Sequence, residues 1–68
     1  MIKITITSVK VDSSFVEEHT SFQIGDTAWY IIRDNGKRLT HYFKHEEIAA
    51  AAAWRLINLY GLTLVEPW

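Results

Sequence analysis

Three histidines, His19, His41 and His45, are the residues whose chemistry would matter most if they converged. A metal site needs several converging ligands with support behind them. His41 and His45 flank a strand-to-helix junction with Glu46 beside them, but the spacing matches no compact metal motif. The chain has no cysteine, so disulfides and thiolate ligands are excluded. Serine, histidine and aspartate occur without a nucleophile elbow, a phosphate loop or a paired-carboxylate context. The reading is therefore a non-enzymatic protein that uses no metal and no cofactor.

Two groups of side chains could bind instead of react. Trp29, Arg33, Arg38 and Tyr42 combine aromatic rings with cations, which can stack on bases and meet phosphates. Ala50, Trp54, Ile57 and Asn58 form a stripe on the outer side of an alanine-rich helix. A helix that is apolar nearly all round is normally covered on both sides. One small sheet covers one side, so this stripe is expected either to meet a partner protein or a second copy as a homodimer, or to be covered by the 12–26 segment or Trp68. Asp12, Glu17, Glu18 and Asp26 form an acidic stretch with no Lys or Arg among residues 12–26. It is expected to lie beside the basic residues of the 33–44 stretch and neutralise them.

The elements that must position these groups follow from patterning. The 68 residues make one domain, 1–68, of a size that has only a marginal core of its own. A hydrophobic fraction of 49% argues against disorder, and a net charge of −1 gives no general attraction to nucleic acid. The longest low-polarity run, Ile48 to Trp54, is too short to span a bilayer, and the N-terminus does not read as a signal peptide. The expectation is a cytoplasmic protein without a membrane partner.

Ile2, Ile4 and Ile6 alternate with polar residues as in a half-buried strand. The apolar phase then shifts to Val9 and Val11, which predicts a bulge near Thr7 and Ser8. Asp12 to Ser14 reads as a turn, and Phe15 to Ile24 as a loop with a short strand. From Thr27 to Phe43 the pattern is a hairpin. Asn35-Gly36 predicts a two-residue type I′ turn, with Ile32 facing Leu39 and Trp29 facing Tyr42. That register puts Ala28, Tyr30, Ile32, Leu39, His41 and Phe43 in the core. Trp29, Ile31, Arg33, Arg38, Thr40 and Tyr42 fall on the outer face.

A helix is expected from about His45 to Tyr60, with Ile48, Ala49, Ala52, Ala53, Leu56, Leu59 and Tyr60 inward. Its N-cap is weak, Glu46 and Glu47 suit its first turn, and Gly61 suits its end. Leu62 to Glu66 reads as a last strand, ended by Pro67, and Trp68 is expected to pack. The fold class is α+β: an antiparallel sheet of about four strands with one helix across one face.

The run from Trp29 through Arg33, Asp34, Asn35, Gly36, Lys37 and Arg38, then Phe43, Glu46-Glu47 with its alanines, and Gly61, resembles the AP2-type DNA-binding fold. That family includes the arm-binding domains of phage-type integrases. The resemblance covers about half the chain. It implies DNA contacts from the outer hairpin face, through Trp29, Arg33, Arg38 and Tyr42. The chain departs from the pattern in its near-neutral first strand, Ile2 to Val11, and in a strand after the helix. In size and lack of chemistry the chain is also similar to small phage-encoded accessory proteins, including anti-CRISPR inhibitors. That likeness implies a protein-binding module that occludes a larger host complex. Three readings result: such a protein-binding module, a small DNA-binding domain, and a structural homodimer.

Overall fold

The computed structural model describes residues 2–65. Strand β1 (Lys3–Lys10) pairs antiparallel with β2 (Thr27–Arg33). The register is unbroken from Ile4 opposite Arg33 to Lys10 opposite Thr27, so the expected bulge at Thr7-Ser8 is absent. The phase shift has another cause. This sheet buries different faces at its two ends. Ile4 and Ile31 pack with Ala53 in one core, joined by Ile6, Leu56 and Leu64. Val11, Ala28 and Phe22 form a second core with Phe15, Val16 and Tyr42. Ile4 and Val11 differ in parity and so point to opposite faces. Val9, which the bulge was to bring inside, stays partly exposed.

The second core exists because residues 12–26 fold over the sheet. Helix α1 (Ser13–Glu18) replaces the expected turn and loop. Asp12 caps it, its carboxylate accepting a hydrogen bond from Phe15 N at 2.9 Å. The Asp26 carboxylate accepts from Gln23 N at 3.0 Å and shapes the return. Phe15 then meets Phe22 edge to face at 5.3 Å and Tyr42 at 4.8 Å. One and a half turns are too few for helical periodicity to emerge from a sequence.

The hairpin turn also differs. A type I′ turn needs positive φ at both central residues. Among the described residues positive φ occurs only at glycines, and Gly36 has φ 84°. Gly36 N donates to Arg33 O at 2.9 Å, and Arg33 N donates to Lys37 O at 2.9 Å. This is a three-residue loop, Asp34-Asn35-Gly36, with glycine at its left-handed position. Asn35 Oδ1 accepts from Lys37 N at 2.9 Å, which holds the loop without a left-handed asparagine.

The extra loop residue shifts the register, so Ile32 faces Arg38 rather than Leu39. The next bridge is Trp29 to Phe43. Residues 39–42 therefore run opposite only Tyr30 and Ile31, and the chain leaves the strand line. Leu39 N still donates to Ile31 O at 2.8 Å. The Thr40 hydroxyl takes the carbonyl's place, accepting from Ile31 N at 3.3 Å. The returning segment thus makes two isolated bridges and no strand, and among the described residues the sheet has three strands instead of the expected four.

Helix α2 (Glu46–Tyr60) has Glu46 and Glu47 in its first turn and no side-chain cap at His45. Gly61 ends it at φ 66°, donating to Ile57 O at 2.9 Å. The chain then forms β3 (Thr63–Leu64), which pairs parallel with β1 and makes the sheet mixed, in the order β2-β1-β3. The 38–43 segment runs antiparallel to β2 and so in the direction of β1, and the helical crossover returns β3 in that same direction, which explains the parallel pairing. The expectations for Glu66, Pro67 and Trp68 lie outside the described residues.

The core assignment reverses. Ile31, expected outside, is fully buried beneath α2, and Ala28 is buried on the opposite face. Tyr30 lies against Tyr42 at 5.2 Å. Helix α2 is also rotated from its expected setting. Ala49 and Ala53 are its buried residues, with Leu56 and Ile57 packed on the core beside Ala53. Ala49 and Ala53 lie one turn apart on one face, and the small size of Ala53 allows a close seat on Ile4 and Ile31. Ile48, Leu59 and Tyr60, expected inside, are 47%, 69% and 69% exposed.

Candidate functional site

Two displacements build the most distinct concave feature. Residues 39–42 leave the strand line, and α2 turns its Ile48 and Leu59 outward. Between them lies an open groove of about 740 Å³. Leu39, Thr40, His41 and Phe43 form one wall, and Ile48, Ala52, Leu56 and Leu59 contribute to the other. Phe43 faces this side because it pairs with Trp29, which shares parity with the buried Ile31. Arg55 is the charged residue of the lining, and no carboxylate belongs to it. The groove is therefore apolar with one cationic edge.

The four residues of the expected helix stripe separate. Trp54 is 59% exposed and Asn58 is exposed, but Ala50 is half-buried and Ile57 packs on the core. The hairpin set separates too. Arg33 shares parity with Trp29 and Ile31 and points to the α2 face. Arg38 faces Ile32 on the opposite side, where its guanidinium carbon sits 4.4 Å from the Tyr42 ring centre. Tyr42 itself lies in a ring cluster with Phe15, His19 and Tyr30. The single aromatic and cationic face that AP2-type recognition would use is thus not assembled.

The acidic residues divide by role. Asp12 and Asp26 hold backbone turns, while Glu17 and Glu18 are exposed. Among the described residues neither glutamate pairs with an arginine. Arg33 Nε has Asp34 Oδ1 at 3.9 Å, beyond hydrogen-bond length. The histidines are dispersed. His19 packs on Phe15 and Tyr42, His41 on Phe43 at 4.6 Å, and His45 precedes α2. Among the described residues no three metal-type ligands gather.

Sequence reasoning missed Leu39, Ile48 and Leu59 as surface residues by assigning them to the core. The available signal was α2 itself, which carries more large apolar side chains than one side of a three-stranded sheet can take. The expected stripe holds at Trp54 and Asn58, which are exposed, and fails at Ile57, while Ile48 and Leu59 are exposed on the groove side instead.

Fold and groove together define a small α+β domain with, among the described residues, a three-stranded mixed sheet, one main helix and an open, largely apolar groove. Compared with family models, with curated proteins and with solved structures, the chain matches none of them. Among the described residues no helix is long and apolar enough to cross a membrane.

Proposed function

We propose that this domain is a non-enzymatic protein-binding module whose docking surface is the exposed side of α2 and its groove. The observation that carries this reading is the exposure of Ile48 and Leu59 on the flank of α2 beside the groove, with Tyr60, at the helix's last turn, exposed in the same lining. Contiguous exposed apolar surface of this kind marks contact sites. An open groove beside a helix suits an apolar segment laid along it. Arg55 adds a preference for a carboxylate on that segment. Such a module acts by covering a partner's surface, which fits an accessory or inhibitory role on a larger assembly.

Selection of helical peptides from a random library on the immobilised domain tests this. Enriched peptides should carry apolar residues at helical spacing plus an acidic residue. Their binding should fall at least tenfold with Leu39→Asp or Leu59→Asp. Absence of enrichment, or binding indifferent to both substitutions, rejects the groove as the site.

A further inference from the structure

Helix α2 carries a self-complementary pattern on its exposed side. Glu47, Ile48, Ala51, Trp54, Arg55 and Leu59 are all exposed. Glu47 and Arg55 stand four positions either side of Ala51, and Ile48 and Trp54 stand three positions either side. The two charges have opposite sign, and the residue between them is small.

We propose that the occupant of this face is a second copy of the chain, with the two α2 helices antiparallel about a twofold axis at Ala51. In an isologous contact every pairing occurs twice. An axis at Ala51 brings Glu47 level with the second copy's Arg55, and Ile48 level with the second copy's Trp54. Laying the i±4 ridges through Glu47, Ala51 and Arg55 along each other forms both opposite-charge pairs at once, with Ile48 and Trp54 flanking the seam. A parallel arrangement would instead set Glu47 beside Glu47 and Arg55 beside Arg55. Ala51 at the crossing lets the helices approach closely, as Ala49 and Ala53 do on the inner side. The second copy's α2 is also the ligand chemistry named above, an apolar helix bearing a carboxylate. The inference rests on that reading of α2 as a docking element and seats the second copy on the helix's exposed side, with the groove wall at Leu39 outside the seam.

Sedimentation equilibrium of the full chain across a wide concentration range tests the pairing. Wild type should pass from monomer to dimer mass. Glu47→Arg and Arg55→Glu should each lose the dimer, since each creates four like charges at the seam. Mixing the two variants should restore a dimer, because one copy is then basic and the other acidic at both positions. That rescue also shows that neither substitution acts by unfolding. Trp54→Ala should weaken the dimer. A wild type monomeric throughout overturns the proposal. A dimer that survives either charge reversal, or a mixture that stays monomeric, overturns it equally. Leu39→Asp separates the two ideas, since Leu39 lies in the groove wall and off the helix. Peptide binding lost with the dimer intact upholds both. Peptide binding by a wild type that never dimerises leaves the docking reading standing and removes the pairing.

Discussion

A single backbone angle separates the hairpin expected from the one observed. Asn35-Gly36 favours a two-residue turn when both residues take positive φ, but the same dipeptide serves the last two places of a three-residue loop. Asparagine then needs no strained angle, and only Gly36 is left-handed. Nothing is within 4 Å of a side chain built at Gly36, so a substitution there meets strain and not a clash. Gly36→Ala should cost about 1–2 kcal/mol, the penalty for placing an L side chain in the left-handed region. Asn35→Ala should cost less, since it removes one exposed hydrogen bond to Lys37 N. A two-residue turn would make both positions sensitive, so urea denaturation of the pair discriminates. At this scale Gly61 and the Glu46-Glu47 start were readable because each depends on local chemistry alone. Asp12 was readable only as a turn residue. Its capping role depends on Phe15 and Val16 having a sheet face to cover. Asp12→Ala should destabilise the domain by about 1 kcal/mol, with a matching fall in urea midpoint.

Among the elements, β2 and α2 were placed correctly along the chain and incorrectly about their own axes. Strand parity follows from register, so one added loop residue exchanged the faces of the returning segment. Choosing the more apolar face of the hairpin then failed because β2 is buried on both sides, by α2 at Ile31 and by α1 at Ala28. For α2 the inward alanines Ala49, Ala52 and Ala53 and Leu56 are on the core side as expected, while Ile48, Leu59 and Tyr60 are exposed and Ile57, expected outside, packs on the core. Two substitution pairs expose these assignments. Ile31→Ala should cost about 2–5 kcal/mol, as a fully buried aliphatic does, and Leu39→Ala should cost clearly less. Ala53→Leu should cost about 1–3 kcal/mol by overpacking against Ile4 and Ile31. Trp54→Ala should change monomer stability by no more than about 0.5 kcal/mol, because its ring is mostly exposed. Thermal melts of the four variants at low concentration, where any dimer is dissociated, read these differences.

At the scale of the molecule, the sheet is a partition between two small cores. Neither core is large; β2 supplies side chains to both, and Val11, just past the end of β1, joins the second. The alternation of Ile4 and Ile6, followed by Val11, already encoded this arrangement. It was mistaken for a bulge because a 68-residue chain invites the assumption of one core. A shared sheet has a consequence for cooperativity. Unfolding either core exposes the backbone ladder from Ile4–Arg33 to Lys10–Thr27 that the other requires. The two cores should therefore melt together, although their side chains pack separately. Ile4→Val and Phe22→Leu each trim one core, and each should cost about 0.5–1.5 kcal/mol. With no shared partners, the double variant should lose the sum to within about 0.5 kcal/mol. Far-ultraviolet circular dichroism, which follows α2, and near-ultraviolet signals from the Tyr30–Tyr42 cluster should give coincident transitions in all three variants. Separate midpoints in the Phe22→Leu protein would mean that α1 and its core open alone. The sheet would then hold α2 without help from its other face, and the exposed side of α2 proposed for docking would be independent of residues 12–26.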